Sequence, residues 1–236
     1  MREDIKSKFG AIALEYDNQR RSLIPCFDDF YACIVRSIEY SSKQVNILDI
    51  GAGTGLLTSF VYNQYPESNY TIIDISKEMI EQAKKRFNSL RNFEYITADY
   101  ANYIFTKKYD VVVSALSIHH LEDEEKLKLY ERIFESINGG GVFINGDQFI
   151  SRSGVLEEKI HYEWRSVIEK SGLTKEEING AFERMKMDKP ATTEKNIAWL
   201  EKAGFINVDL LYKYYSFGVI CGMKLLEGVI SCLYFF

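Results

Sequence analysis

Short apolar runs alternate along this chain with stretches whose apolar residues fall three or four positions apart. Val45–Ile50 (VNILDI) is the first β-type run and stops at a glycine cluster. Gly55–Tyr65 then carries Leu56, Leu57, Phe60 and Val61 at helical spacing. Tyr70–Ile75 (YTIIDI) predicts a second strand, and Met79, Ile80, Ala83 and Phe87 mark the next helix. Ser76 stands at its N-cap, with Glu78 in the first turn. Phe93–Thr97 and Tyr109–Ala115 read as strands. Leu127, Tyr130, Phe134 and Ile137 read as the buried stripe of a helix ending at Gly139–Gly141, and Gly141–Gly146 as a fifth strand. Strands of nearly continuous apolar character, separated by helices, imply βαβ units around a parallel sheet covered on both faces. The crossovers should be right-handed.

The last third is different. Residues 151–192 are charged and helical in pattern. Glu194–Ala203 predicts one more helix with Gly204 at its C-cap, followed by strand-like runs at Phe205–Ser216 and Phe217–Met223. With 236 residues and 46% hydrophobic content, the chain suits a single domain, 1–236. Its expected parts are an N-terminal helical cap (1–40), a core (41–150 and 193–224), a helical cap insert (151–192) and an apolar tail (225–236). The apolar stretch Phe217–Phe236 carries Lys224 and Glu227 near its middle, which a bilayer centre disfavours, so no membrane association is expected.

Composition narrows the function. A net charge of -5 argues against a broad basic face for nucleic acid, so a structured RNA partner is disfavoured. MREDIKSKFG holds no secretory h-region, and Cys26, Cys33, Cys221 and Cys232 form no CxxC pair; a cytoplasmic protein with reduced thiols is expected. His119, His120 and His161 lack metal-ligand spacing, and adjacent side chains diverge on most backbones, so no metal is expected.

The strongest local signal is Asp49-Ile50-Gly51-Ala52-Gly53-Thr54-Gly55, directly after a strand and at a helix start. Ligand atoms can approach backbone N–H groups there because side chains are missing. A nicotinamide-binding turn would carry its third glycine at 56, which is Leu56. Asp74, ending the second strand, suits a ribose diol, although it could also simply start a helix. Asp99 in Thr97-Ala98-Asp99-Tyr100 suits an exocyclic adenine amine, the alternative being a surface turn.

The runs VNILDIGAGTG, YTIIDIS, ITADY and YDVVVSALSIHHL resemble, in order and spacing, the class I S-adenosylmethionine-dependent methyltransferase family. The resemblance implies an α/β, Rossmann-like fold: a mostly parallel seven-stranded sheet with helical caps and an antiparallel strand near Phe217–Met223. It implies S-adenosylmethionine as cofactor, with Asp49, Gly51, Gly53 and Gly55 at its methionine moiety, Asp74 at the ribose and Asp99 at adenine. Ile75, Tyr100, Ala115, Phe27 and Arg21 complete that expected set.

Segments of both caps and the end of the core (Arg21-Ser22…Pro25-Cys26-Phe27, SGLTKEEI and KAGFINVDLLYKYYSFGVICGMK) are similar to the carboxy-S-adenosylmethionine synthase branch, which feeds a tRNA wobble-uridine modification. That branch has a tyrosine at Phe27, a degraded glycine motif, and a carboxylate-binding arginine in the cap. Here Arg184 is the nearest candidate, while an ungapped match falls on Phe182.

The resulting expectation is in-line methyl transfer to a small-molecule acceptor, in which positioning supplies most of the acceleration. A base is needed only for a protonated acceptor, and His119 is the first candidate, ahead of His120. Tyr16, Arg20, Arg21, His161, Trp164 and Arg165 are candidate acceptor-pocket residues. Ser114-Ala115-Leu116-Ser117 stands where DNA-type enzymes carry Asn/Asp-Pro-Pro-Tyr, which disfavours base amino methylation. The rival readings are a carboxy-S-adenosylmethionine synthase-like enzyme, a non-catalytic S-adenosylmethionine-binding protein and, more distantly, a dehydrogenase.

Overall fold

Two helices, α1 (Tyr16–Leu23) and α2 (Phe27–Arg36), precede β1 (Asn46–Ile50) in the computed structural model, which describes residues 16–40, 42 and 44–226. Next come α3 (Leu56–Gln64), β2 (Asn69–Asp74), α4 (Lys77–Arg86), β3 (Phe93–Thr97), β4 (Tyr109–Ala115), a 3-10 turn (Ile118–His120), α5 (Asp123–Ser136) and β5 (Ile137–Gln148). The chain continues through α6 (Gly154–Ile168), α7 (Lys175–Met185), α8 (Thr193–Ala203), β6 (Ile206–Tyr214) and β7 (Phe217–Met223). The expectations attached to Cys232, to residues 1–15 of the cap and to the tail beyond 226 lie outside the described residues.

Seven strands form one sheet in the order β3-β2-β1-β4-β5-β7-β6. β1 to β5 pair in parallel, and β7 runs antiparallel between β5 and β6. The order reverses between β1 and β4. At such a switch point the loops leave the sheet in opposite directions and open a crevice at the carboxyl ends of the strands.

The central strands are buried on both faces, as their unbroken apolar runs require. On one face Phe30, Ile34, Leu57 and Val61 pack against Ile47, Val111, Val113 and Ile144. On the other, Leu129, Tyr130, Ile133 and Leu200 cover Leu48, Ile50, Val112 and Phe143. Caps set the helix ends: the Ser76 hydroxyl accepts from the Met79 N–H (3.2 Å), and reciprocal capping boxes open α5 (Glu122/Glu125) and α7 (Thr174/Glu177).

One boundary differs from the sequence reading. α5 stops at Ser136, and Ile137 begins β5 instead of closing the helical stripe. The glycines that follow lie within the strand, at a register shift against β4 and with Gly140 at φ +81°. Lys224 explains the early stop. Its Nζ donates to the carbonyls of Phe134 (2.8 Å) and Ile137 (2.9 Å), and its backbone pairs with Gly140 and Gly141. A cation on the last carbonyls of a helix satisfies acceptors that the helix itself leaves open.

The insert helices α6 and α7 meet α1 above the crevice. Trp164 Nε1 donates to the Leu23 carbonyl (3.0 Å), and Gln19 bonds to both Glu177 and Arg184 (3.4 Å each). Among the described residues, no helix is long and apolar enough to cross a membrane.

Candidate functional site

Three glycines follow β1, all at positive φ: Gly51 (+64°), Gly53 (+56°) and Gly55 (+76°). Their tasks differ. A Cβ on Gly51 would lie 1.8 Å from Ser117 Oγ, and one on Gly55 would lie 2.7 Å from the Phe87 ring. A Cβ on Gly53 would meet nothing nearer than 3.9 Å. Gly51 and Gly55 therefore let the loop pack, whereas Gly53 keeps its surface bare toward the crevice.

Asp74 is braced against this turn. Its Oδ2 accepts from the Gly53 N–H (2.9 Å) and its Oδ1 from the Ser76 N–H (2.8 Å). Burial raises its pKa, and those backbone bonds oppose the rise. Asp49 is fully buried beneath the same turn. Its Oδ2 accepts from Thr58 Oγ1 (2.5 Å), while its Oδ1 has no hydrogen-bond partner among the described residues. Burial pushes this carboxyl up to about 7, with the Thr58 bond opposing and Asp74 adding to the shift.

A cleft runs from Gly51, Gly53 and Asp74 past Ile75 and Tyr100 to Leu116 and Ser117. Tyr100 donates its hydroxyl to the Ser117 carbonyl (3.0 Å), which joins the two rims. Leu116 sits at φ +53°, an uncommon conformation for a γ-branched residue and one that clusters at functional sites. At Tyr16, Leu116 and His120 this cleft meets a second cavity under the caps, lined also by Arg20, His119, Trp164, Arg184 and Asp188. Arg20 presents a buried Nε with no partner among the described residues; burial first, then Arg184, lowers its pKa to about 10.

Several expected site residues stand elsewhere. Arg21 points to solvent, paired with Asp28 (2.8 Å) and lying over the Phe27 ring. Phe27 is a core residue packed on Tyr31 and Phe60. Asp99 turns inward on its own loop, accepting from the Ala101 N–H (3.0 Å) and from Asn102 (3.1 Å). Ala115 ends β4 opposite Gly146. None of the four lines the cleft, and Asp49 and Gly55 lie behind its wall. His161 and Arg165 line a further hollow between α6 and α7, where Arg165 lies over the Phe182 ring.

The two histidines correct the expectation that their side chains diverge. Their ring centroids are 4.1 Å apart, and both face Asp188. His119 is held by Asp147, Nδ1 to Oδ1 at 2.5 Å. Burial pulls its pKa down, but Asp147 and Asp188 outweigh this and carry it up to about 10, so His119 keeps its proton at neutral pH. The role of base expected of it does not fit that position. Asp147 and Asp188 are not singled out in the sequence, and Leu116 and Ser117 enter it only as part of the stretch that stands in place of Asn/Asp-Pro-Pro-Tyr. Asp188 lies in MKMDKP, which carries no motif.

Residues 47–141 match a family model described as a methyltransferase domain. The chain is 25% identical over 234 residues to a carboxy-S-adenosyl-L-methionine synthase of Helicobacter hepaticus, covering 94% of this chain and 98% of that protein. A malonyl-[acyl-carrier protein] O-methyltransferase of Ilyobacter polytropus is 33% identical over 101 residues, 43% of this chain and 37% of that one. Among solved structures, a DhpI–SAH complex superposes with a TM-score of 0.65 at 16% identity, over 94% of this chain and 96% of that chain. Residues 47–141 thus match a methyltransferase domain, and the chain as a whole has the fold of the DhpI–SAH complex.

Proposed function

We propose that the protein transfers a methyl group from S-adenosylmethionine to a small acceptor held in the cavity under the caps, and that it works in the cytoplasm. The observation that carries this reading is the shared wall at Tyr16, Leu116 and His120, which line both the cleft beside the glycine turn and the cavity under the caps. The residues fit the cofactor. Asp49 offers a buried carboxylate oxygen without a partner, as the methionine ammonium requires. Gly53 leaves its surface open, and Asp74 stands at the strand end where a ribose diol would lie.

When bound, S-adenosylmethionine supplies an electrophilic methyl on a sulfonium, displaced in line. The residues have to position and exclude water. Asp49 would fix the methionine ammonium and Asp74 the ribose, and α1 with α6 and α7 roof the acceptor side. Holding reactants in attack geometry can contribute about 7–11 kcal/mol to a barrier reduction.

A second reading is favoured by one observation: Arg20 and Arg184 both line the acceptor-side cavity. Two guanidiniums there would suit a carboxylated sulfonium of the kind made by the Helicobacter hepaticus relative. Phe182, at the ungapped position, packs instead on Trp164. Calorimetry with S-adenosylmethionine and S-adenosylhomocysteine should give binding by both, with none by NADH. Ligand at a hundred times Kd should stabilise the fold by about 2.7 kcal/mol. Binding of NADH alone would remove the methyltransferase reading. A retained ligand heavier than S-adenosylmethionine by a carboxyl group, lost in Arg184→Ala, would promote the second.

Asp49 also predicts a pH dependence. Its folded pKa of about 7 exceeds the ordinary 3.8, so the folded apo protein holds a proton that the unfolded chain has released. Its contribution to apo stability therefore falls as pH rises from about 4 to about 7. The cofactor's ammonium needs the ionised carboxylate, which reverses the sign for binding. Affinity should rise up to tenfold per pH unit below about 7 and level off above it, with one proton released at the low end. Titrations across pH 5.5–8 in buffers of different ionisation enthalpy, roughly spanning that window, would measure this. An Asp49→Asn profile as steep as wild type would exclude Asp49 as the source.

A further inference from the structure

The turn Ile118–His120 and the loop that follows α7 bring three metal-binding side chains together. In a 3-10 turn neighbouring side chains are separated by about 120°, not opposed as on a strand, so His119 and His120 can face one point. The Lys189 N–H donates to the His119 carbonyl (2.8 Å), which sets the adjacent Asp188 against both rings. Asp188 Oδ1 is 3.5 Å from His119 Nε2 and 3.0 Å from His120 Nδ1. One ligand atom from each of the three residues lies within 4.8 Å of the others.

We propose that His119, His120 and Asp188 form a binding site for a divalent transition metal of the zinc type, placed where the cofactor cleft meets the acceptor-side cavity. A tetrahedral ion with bonds of about 2.0–2.1 Å separates its ligand atoms by about 3.4 Å, and the two measured separations bracket that value. The outer shell is in place as well. His119 uses its other nitrogen, Nδ1, on Asp147 Oδ1 at 2.5 Å, which aims Nε2 at the proposed metal position; the ion would take the place of the proton that the metal-free imidazolium carries on Nε2, and that proton leaves to solvent. Asp147 is itself held through Oδ2 by the His119 N–H (3.0 Å) and by Asn145 Nδ2 (3.4 Å). Two imidazoles and one carboxylate suit zinc or another late first-row ion and do not suit magnesium, which prefers an all-oxygen shell.

Three protein ligands leave a fourth position open, and His119, His120 and Asp188 all line the acceptor-side cavity. The charges nearby decide what would fill it. The carboxylates of Asp147 and Asp188 are matched by the guanidiniums of Arg20 and Arg184, both of which feel Asp188. The cation's own charge then has to be met by an anionic group of the acceptor. The metal site goes beyond the methyltransferase reading and does not depend on it, whereas the anionic acceptor group rests on that reading.

The test uses the full chain, freed of metal with a chelator and titrated with Co2+ and then Zn2+. The expected result is one ion per chain by elemental analysis. The visible Co2+ spectrum should be tetrahedral, without thiolate charge transfer, and should be displaced by Zn2+. His120→Gln and Asp188→Ala should weaken binding at least about 100-fold, and Asp147→Asn about 10- to 100-fold. Circular dichroism would confirm that the variants fold. Should they not fold, X-ray absorption on the wild-type zinc form reads the ligands directly, and two imidazoles with oxygen are expected. No stoichiometric binding, a thiolate signature, or folded His120→Gln and Asp188→Ala proteins that bind like wild type would overturn the site.

Discussion

An Asp74→Ala protein is expected to bind S-adenosylmethionine roughly 10- to 150-fold more weakly, a loss of about 1.5–3 kcal/mol for a charged hydrogen-bond acceptor. The carboxylate stands at the end of β2 and braces the turn through Gly53 and Ser76. Its removal takes away the ribose partner and also frees two backbone donors. Asp74→Asn separates these effects, since an amide oxygen can keep one of the backbone bonds while the anion is lost. Calorimetry on both variants measures the split. Unchanged affinity in Asp74→Ala would remove the ribose assignment.

Gly51→Ala should act on the fold before any ligand arrives. The added methyl would fall 1.8 Å from Ser117 Oγ, and Ser117 is buried and bonded to Tyr100. Overpacking together with a positive φ costs about 2–4 kcal/mol. At about 2–4 °C per kcal/mol for a chain of this size, the shift is readily seen in an apo melt. Gly53→Ala meets only ordinary contacts, with Met79 at 3.9 Å and Tyr16 at 4.0 Å, and should lose only the backbone part, about 1–2 kcal/mol. Equal melting temperatures for Gly51→Ala and wild type would show that the loop can move away from Ser117.

The sheet was legible in the sequence because strands buried on both faces must be apolar throughout, and helices between them keep their own period. Ile137 was misread for a related reason. Its spacing from Phe134 fits a helix, and what ends the helix is Lys224, which lies far along the chain on the far side of β7. The glycine turn and Asp74 were legible because their geometry is local. Arg20 and Arg21 were not separable, because successive helical residues point about 100° apart and the helix phase comes from packing. Only Arg20 lines the cavity; Arg21 pairs with Asp28 in solvent. The convergence on Asp188 depended on a 3-10 turn and a loop contact that no motif announces.

The place of β7 in the sheet has a kinetic consequence. β6 leaves the ribosome first yet occupies the sheet margin, and it touches β5 only through the strand made after it. β6 and β7 are joined by the two residues Tyr215 and Ser216, so they can zip together locally and dock on β5 as a preassembled ribbon. Until that ribbon arrives, the unpaired margin of the nascent sheet is β5, with Val142, Phe143 and Ile144 at its centre. A chain stalled during synthesis before Phe217 would expose that sticky margin to other chains, which makes the emergence of β7 the step that guards this domain against aggregation.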